Sequence, residues 1–391
     1  MFRLGPPKYS LGIDIGSSSL KFIQLRKSKA GMSIVGHGIE RYPPGVFKEG
    51  TLQDPNAIVQ ILKNLKKEYN LKTDQVFSAI TSQNTILRFL TLPDMGDEEL
   101  KHAIDGEAEQ YVPYPLETVN IHFSKLARVE QEGVGKILSL LAVAQKEHVD
   151  SLLGIFKAVG LKNLDALDVD ALSIINSMDG WLHRGPAFPD EARLDAMGDE
   201  QEEGQQVEDL GISQSMSDDE ITAIVCIGAR STIINVLKGK ILRFSRNIKE
   251  SGNSITDVIR SIYKVSMEEA EEIKIEKSQL AKEGQEDQEF ADVVQTTVEE
   301  IAGEIRRSFD YYKAQHREPQ IHRVILTGGT AKLKDIDLLL SNELGVEVML
   351  ADPSFGLTRE MDGQELFEEN LQDYTVAIGL ALRGWEEEGS A

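Results

Sequence analysis

Apolar and polar residues alternate at the start of the chain, and this alternation predicts two neighbouring strands. Leu11, Ile13 and Ile15 are separated by single small or polar residues, which is typical of a strand with a buried face. The alternation breaks at Gly16 and resumes over residues 20–25. We therefore expect a hairpin with a short turn of glycine and serine, and the alternation over residues 32–39 predicts a third strand.

The same order of elements recurs in the second half of the chain. An apolar run breaks at Gly228 and then resumes, so a second hairpin is predicted over residues 221–246. Residues 324–327 form a predicted strand that runs into Gly328-Gly329. The two halves of the sequence therefore carry related strand-turn units.

Periodic apolar positions predict further elements around these units. The predicted helices span residues 58–65, 97–111, 147–158, 170–182, 255–263, 267–275, 289–313 and 371–382, and one more begins near Leu333. The other predicted strands span residues 76–81, 86–92, 119–123, 137–143 and 164–169. The first two of these are predicted to pair as a hairpin around Ser82-Gln83-Asn84, and residues 277–288 are predicted to be a polar insert.

Length and composition favour a globular protein of two lobes. The chain has 391 residues, of which 41% are hydrophobic, enough for a full core. The formal net charge of −23 argues against nucleic acid or anionic lipid as a general partner, because both need a basic surface. One cysteine excludes an intrachain disulfide, and no apolar run approaches the ~20 residues of a membrane span. We expect a soluble cytoplasmic protein.

One segment departs from this globular pattern. Residues 184–220 contain twelve acidic residues and two basic ones, with few apolar side chains. So little apolar surface does not offset the entropy cost of ordering the chain, and a disordered insert is predicted. A solvated loop is favoured over a partner-binding role.

The turn after the first strand carries groups that suit a phosphate. Gly16 leaves backbone N–H groups accessible, and Ser17 and Ser18 add hydroxyls. The carboxylate of Asp14, just before the turn, suits Mg²⁺ held through water. No helix follows and Gly-Lys-Ser/Thr is missing, so the stretch is not a P-loop. Taken alone, the pattern fits an ordinary hairpin turn equally well.

Two such turns, followed by an amphipathic helix over residues 304–314 and the Gly-Gly turn, resemble the actin-like ATPase superfamily. Within that superfamily, three segments resemble the PilM family of type IV pilus assembly proteins, namely residues 50–54, 106–115 and 304–312. This family is related to the division protein FtsA. The resemblance covers residues 9–182 and 220–383. It implies an α/β fold of two lobes, built from duplicated ribonuclease-H-like halves with a small inserted α+β subdomain.

The resemblance also implies how the chain divides. The core of the first lobe takes residues 9–43, 151–183 and 371–391, and the inserted subdomain takes residues 44–150. The core of the second lobe takes residues 221–250 and 319–370, and its helical subdomain takes residues 251–318.

A nucleotide site between the lobes follows from the resemblance, with ATP and Mg²⁺ as cofactors. The residues implied are Gly16, Ser17, Ser18 and Lys21 in the first phosphate turn, Gly228, Ser231 and Thr232 in the second, Gly328 and Gly329 at the adenosine, Glu304 at the ribose or base, and Asp14 on the metal side. Asp170 is implied as a carboxylate near Mg²⁺ or the attacking water, and a helix N-cap is an equal alternative.

The second turn departs from the superfamily pattern. Relatives that hydrolyse ATP well open this hairpin with Asp, whereas this chain has Cys226, and Ala229 and Arg230 replace the glycines that usually follow. A missing carboxylate removes a ligand for metal-bound water. We therefore expect nucleotide binding with slow or absent hydrolysis, and the alternative is an active ATPase or small-molecule kinase.

The implied partner is the cytoplasmic N-terminal tail of the inner-membrane protein PilN. Other inner-membrane pilus proteins, pilus motor ATPases and a second copy of the chain are further candidates, and nucleic acid is not. The acidic residues 384–391 lack the basic amphipathic helix of FtsA, so direct membrane insertion is not expected. The protein is expected to be peripheral to the inner membrane through its partners.

Overall fold

Two sheets of equal strand order form the centre of the molecule. The computed structural model describes residues 8–29, 31–48, 50–96, 99–100, 102–103, 106, 112–131, 133–161, 164–184, 219–282, 284 and 287–385. The first sheet has the order β10-β6-β1-β2-β3-β16. Its strands are β1 (Tyr9–Ile15), β2 (Ser19–Ser28), β3 (Gly31–Arg41), β6 (Gln75–Ile80), β10 (Ala166–Val169) and β16 (Thr358–Arg359).

The second sheet has five strands in the order β15-β14-β11-β12-β13. This order corresponds strand by strand to β10-β6-β1-β2-β3 of the first sheet, and β16 has no counterpart. In both sheets an antiparallel three-stranded unit is extended by parallel strands next to its first strand. The strands are β11 (Ile221–Ile227), β12 (Thr232–Lys238), β13 (Ile241–Ile248), β14 (Arg323–Thr327) and β15 (Val348–Leu350). The predicted duplication is confirmed.

A separate three-stranded sheet has the order β7-β9-β8, with strands β7 (Thr85–Pro93), β8 (Val119–Gln131) and β9 (Val134–Gln145). The predicted hairpin of β6 and β7 is wrong, since β6 pairs with β1 and β10 while β7 pairs with β9. The short strands β4 (Phe47–Lys48) and β5 (Thr51–Leu52) pair with each other. The small sheet thus begins only at Thr85, although the sequence places residues 44–150 in one subdomain.

Helices cover both faces of the first sheet. Leu11, Ile13 and Phe22 are buried against one pair of helices, whereas Ile23 and Leu25 are buried on the opposite face. The first pair is α1 (Pro55–Glu68) and α2 (Lys146–Val159), and the other face carries α3 (Asp170–Arg184) and α9 (Thr375–Leu382). Helix α1 begins after Asp54, whose carboxylate accepts hydrogen bonds from the first-turn amides of Asn56 and Ala57.

The two lobes share an apolar contact through α3. Ile174 and Met178 of this helix are fully buried in one cluster with Ile224 and Ile325 of the second sheet. Asn235 Nδ2 also donates a hydrogen bond of 2.8 Å to the carbonyl of Ala171. The lobes are therefore joined through α3.

The second lobe is completed by four helices, α4 (Gly252–Tyr263), α5 (Met267–Lys282), α6 (Gln288–His316) and α7 (Ile336–Leu344). The short helix α8 (Gln364–Glu369) instead packs on the first sheet, because its Phe367 is buried with Ile23 and Leu25. The predicted polar insert is largely wrong, because α5 continues to Lys282. Lys277 stabilises this extension by pairing with Asp287, the N-cap of α6. The last predicted helix begins later, at Thr375, after a 3₁₀ turn.

Three further predictions fall wholly or largely outside the described residues: the disordered acidic insert, most of the helix from Asp97, and the acidic end of the chain. In the described part of the chain, every helix is too short or too polar to cross a membrane.

Candidate functional site

The first phosphate turn joins β1 to β2 and is flanked by a buried ion pair. Asp14 and Lys21 are direct cross-strand partners, and Lys21 Nζ lies 3.2 Å from Asp14 Oδ2. Their side chains are only 14% and 12% exposed. Burial alone lowers the pKa of Lys21, but attraction to Asp14 and then to Asp373 raises that pKa above its ordinary value. A cation is therefore held beside the turn at neutral pH.

The turn itself presents unused backbone donors. The amide of Gly16 closes the turn by donating to the carbonyl of Ser19, at 3.2 Å. The next two amides, of Ser17 and Ser18, donate to no acceptor in the described part of the chain. Successive N–H groups without acceptors beside an ammonium are a typical anion site.

Gly16 keeps the space in front of Lys21 open. A β-carbon at this position would lie 2.9 Å from Lys21 Nζ and 3.1 Å from the carbonyl of Ser19. The backbone of Gly16 is not in the left-handed region. The glycine is thus required by space and not by the turn conformation.

The second phosphate turn joins β11 to β12 and is built in the same way. The amide of Gly228 donates to the carbonyl of Ser231 at 2.9 Å, and the amides of Ala229, Arg230 and Ser231 donate to no described acceptor. The hydroxyl of Thr232 is buried and donates to the carbonyl of Glu250. Backbone amides, rather than the hydroxyl of Thr232, are therefore the groups that this turn offers to a ligand.

The start of helix α4 is hydrogen-bonded to the carbonyl groups of the second turn. Its first amides, of Gly252 and Asn253, donate to the carbonyls of Gly228 and Ala229 at 2.9 and 2.7 Å. The hydroxyl of Ser251 donates to Ala229 as well. The turn carbonyls are thus directed into the second lobe, and the amides are left for the cleft.

The Gly-Gly turn after β14 is closely covered. Gly328 has a positive φ of 89°, and a β-carbon there would lie 2.6 Å from the carbonyl of Ile227. Asp373 lies against Gly329 and pairs with Lys332, which also donates to Asn370. Sequence reasoning missed Asp373, because no local pattern connects it to a turn so far away in the chain.

Asp170 is the first residue of α3 and links three groups. Its Oδ1 accepts hydrogen bonds from the amides of Ser82 and Ala171, at 2.8 and 2.7 Å, and from the hydroxyl of Ser82. Burial raises the pKa of Asp170 to about 7, although the bonds from Ser82 oppose the shift. The carboxyl group thus has a local role at the helix start and also lies within electrostatic range of Asp14.

Cys226 lies where the two turns meet. Burial, and then the carboxylates of Asp170 and Asp14, raise the pKa of its thiol to about 12. Lys21 and Asp373 also interact electrostatically with this thiol. The structure therefore brings Asp14, Lys21 and Asp170 together around a thiol that stays protonated at neutral pH.

Glu304 is not part of this cluster. In the described part of the chain its side chain pairs with Arg307, one turn further along α6. By contrast, Lys274 of α5 is buried, donates to Thr256 Oγ1 at 2.9 Å and pairs with Glu271. Burial lowers the pKa of Lys274, the pairing with Glu271 opposes this shift, and repulsion from Arg41 and Lys332 adds to it. Sequence reasoning missed this ion pair, although the Glu-x-x-Lys spacing of Glu271 and Lys274 in α5 indicates it.

The arrangement fits a nucleotide phosphate better than a protein-held metal. Among the described residues, no group of three His, Cys, Asp or Glu side chains is placed to hold a metal ion. Two carboxylates, Asp14 and Asp170, suit a magnesium ion that is held mainly by phosphate and water. The donors of both turns and Lys21 suit the phosphate itself.

A cavity of about 460 Å³ lies elsewhere, between α4 and α6. It is lined by Val258, Glu289, Asp292, Val293, Thr296, Thr297 and Glu300. None of the turn residues contributes to it.

The fold and the site define the class of the protein. Two sheets of the same order, each with a glycine turn at a shared cleft, are the actin-like ATPase fold. The family model for type IV pilus assembly protein PilM matches residues 12–194 and 206–385, and the chain belongs to this family. Both identifications confirm the predictions from sequence.

Solved structures agree with this assignment. The PilM-PilN type IV pilus biogenesis complex contains a chain with a TM-score of 0.78 and 25% identity, over 97% of this chain and 100% of that one. The ethanolamine utilization protein EutJ from Carboxydothermus hydrogenoformans has a TM-score of 0.54 and 17% identity, over 98% of this chain and 92% of that one. The second likeness supports the fold alone.

Proposed function

We propose that this type IV pilus assembly protein binds ATP with Mg²⁺ between its lobes and acts as a scaffold that holds the cytoplasmic N-terminal tail of PilN. The observation that carries the nucleotide proposal is the pair of turns with unused amides. Both turns lie at the same electrostatic cluster as the buried ion pair of Asp14 and Lys21.

In this proposal each lobe contributes one set of donors. The amides of Ser17 and Ser18 and the ammonium of Lys21 hold phosphate oxygens from the first lobe. The amides of Ala229 and Arg230 hold them from the second lobe. Asp14 and Asp170 would hold a magnesium ion through water, and the ion would neutralise charge on the phosphates.

Hydrolysis is proposed to be slow. A protonated thiol at Cys226 neither orients a metal-bound water nor accepts a proton from it. The carboxyl group with the largest electrostatic effect on this thiol, Asp170, already accepts two hydrogen bonds from Ser82. This site is therefore proposed to bind ATP and to hydrolyse it only slowly.

The partner proposal is supported by the likeness to a chain of a PilM-PilN complex. The small sheet offers two edge strands, β7 and β8, whose outer N–H and C=O groups suit an added peptide strand. We propose that the tail binds where this sheet meets the first lobe. The protein is then peripheral to the inner membrane through PilN.

Thermal unfolding with and without ATP and Mg²⁺ tests the nucleotide proposal. ATP at about one hundred times its dissociation constant adds about 2.7 kcal/mol to the free energy of unfolding. Phosphate release is expected to stay near background in the same samples. The absence of any stabilisation would contradict ATP binding, and turnover at roughly 1–1000 per second would contradict slow hydrolysis.

Gly16→Val is the variant that localises the site. Its side chain enters the space in front of Lys21, so the stabilisation by ATP should vanish. Its side chain also presses on Lys21 Nζ and on the carbonyl of Ser19, so the variant should unfold somewhat more easily without ATP, although its backbone is not left-handed. A variant that unfolds easily but still binds ATP would mean that Gly16 only turns the chain.

A synthetic peptide of the PilN tail, followed by fluorescence anisotropy, tests the partner proposal. Binding that is competed by the unlabelled peptide is expected. A tail that does not bind the purified protein contradicts this part of the proposal and leaves ATP binding standing.

A further inference from the structure

The groove between α4 and α6 lies on the second lobe, and no residue of either phosphate turn lines it. Its cavity of about 460 Å³ is lined by Val258 of α4 and by six residues of α6. The six positions have the spacing i, i+3, i+4, i+7, i+8 and i+11 from Glu289 to Glu300, so they share one face of the helix. At a rise of about 1.5 Å per residue, this face is about 16 Å long.

The α4 side of the groove is apolar and exposed. Val258 is 37% exposed, and Ile262, one turn further along α4, is 40% exposed. Ile255 and Ile259 of the same helix are buried in the core of the second lobe, so the apolar side of α4 is wider than the core covers. Val293 continues the apolar surface on α6, where it is half-buried. An exposed apolar surface with a polar rim is typical of an interaction site.

The rim of the groove is negatively charged. Glu289, Asp292 and Glu300 are exposed, and none of the three forms an ion pair in the described part of the chain. Asp292 accepts a hydrogen bond of 2.8 Å from Gln288 Nε2, a neutral group. The lining therefore combines three carboxylates with apolar and hydroxyl side chains and has no cation. Its electrostatic potential attracts positive charge.

The chain itself does not supply a suitable occupant. Residues 184–220 have twelve acidic residues against two basic ones, and a second copy of the chain has a net charge of −23. Like charges repel, so neither suits an acidic groove. The lysines near the end of α1 do not suit it either, because the apolar face of that helix is buried in the first lobe. The occupant is therefore part of another protein.

We propose that the groove between α4 and α6 binds a cationic amphipathic helix of another protein. A face of about 16 Å accommodates about three turns of a helix, whose apolar side chains at positions i and i+4 fill such grooves. These side chains lie against Val258 and Ile262, and lysine or arginine side chains beside them reach the carboxylates of α6. The groove is separate from the nucleotide cleft and from the small sheet, so the protein has a further docking surface.

Fluorescence anisotropy with a labelled synthetic helix and the full-length protein tests this proposal. The probe is a peptide of leucine, alanine and lysine, of roughly four helical turns, with all leucines on one face. A second peptide has the same composition, but its leucines are spread around the helix. We expect the second peptide to bind at least about tenfold more weakly, since it cannot place two leucines in the groove together. Equal affinities would mean that only the charge of the protein is recognised and would overturn the proposal.

Val258→Lys localises the binding site. The new ammonium group neutralises the carboxylates of the rim and repels the probe, so binding should weaken about tenfold or more. Val134→Lys is the matched control, because Val134 is an exposed valine of β9 and the net charge changes equally. Both positions are exposed, so thermal unfolding without the probe should be unchanged. Equal losses in the two variants, or no loss in either, would overturn the proposal.

Glu300→Gln gives a second test that needs no new charge in the groove. Loss of one exposed ion pair weakens binding by about two- to fivefold. Glu299→Gln is its control, since Glu299 is the neighbouring residue and accepts a hydrogen bond from Gln295 instead. Equal affinities of these two variants would contradict a role for the rim.

Competition experiments identify the kind of occupant. Unlabelled amphipathic peptide should displace the probe, whereas spermine at the same concentration should not. Displacement by spermine would mean that charge alone is bound, and displacement by the PilN tail would mean that the groove is the site of that tail. Either result would overturn the proposal. A PilN tail that fails to bind the protein contradicts the proposed function and leaves this proposal standing.

Discussion

The carboxylate of Asp373 lies directly against the backbone of Gly329. A β-carbon on Gly329 would be 2.5 Å from Asp373 Oδ1, well inside the contact distance of real side chains. Asp373 is also paired with Lys332, so it has little room to withdraw. The Gly-Gly turn is therefore held in place by a charged residue from the segment that precedes α9.

Gly329→Ala should destabilise the protein and weaken ATP binding. The added methyl group displaces Asp373, and overpacking of this kind costs about 1–3 kcal/mol. Urea unfolding and ATP titration measure the two effects. Gly303→Ala is the control, because a β-carbon there meets nothing within 4 Å and alanine favours the helix. Equal stability of the two variants would contradict the contact.

Asp14→Asn should weaken ATP binding mainly when Mg²⁺ is present. The amide keeps the size of the side chain but removes the charge that a hydrated magnesium ion attracts. Groups that act on a metal through its ligands typically contribute about 10- to 100-fold to metal affinity. ATP titrations with Mg²⁺ and with a chelator measure the difference. Equal affinity to the wild type under both conditions would mean that Asp14 is not on the metal side.

His37 should make the protein less stable in mild acid. Its Nε2 lies 3.2 Å from the carbonyl of Asp362 and its Nδ1 lies 3.0 Å from the hydroxyl of Tyr374. Nε2 therefore donates and Nδ1 accepts, which is the neutral ring. Burial lowers the pKa of His37 below its ordinary value of 6.5.

The direction in which stability changes with pH follows from the pH at which each state binds the proton. The unfolded chain takes up a proton at His37 below about pH 6.5, whereas the folded chain does so only at lower pH. The stabilisation is thus present above pH 6.5 and is lost as the pH falls through the lower, folded-state pKa. Urea unfolding between pH 5 and 8 should show a smaller slope for His37→Gln than for the wild type. The exposed His102→Gln is the control, and an unchanged slope in His37→Gln would contradict the assignment.

Cys226 should resist alkylation while the protein is folded. A thiol with a pKa of about 12 is about one part in ten thousand thiolate at pH 8, and this side chain is also 8% exposed. Iodoacetamide should leave the native protein unmodified and should label it fully in guanidinium chloride. Because Cys226 is the single cysteine, intact mass reports it directly. Rapid labelling of the native protein would mean that the thiol faces an open and ionising site.

The sequence by itself determined the two hairpins and their turns. Side chains in a strand alternate between faces with a period of two, so Leu11, Ile13 and Ile15 identify β1 without knowledge of its neighbours. Glycine between two such runs identifies the turn for the same local reason. The position of Asp14 and Lys21 beside the first turn was therefore predictable. The family and the fold of two duplicated halves were implied by the resemblance of several motifs to known proteins.

Only the tertiary structure decided which strands pair and which charges meet. Strand β6 joins β1 and β10 instead of its neighbour β7, because parallel pairing brings together segments that are far apart in sequence. The bonds from Ser82 to Asp170 and the contact of Asp373 with Gly329 arise in the same way. Periodicity carries no information about such contacts, since each of them depends on where a distant element packs.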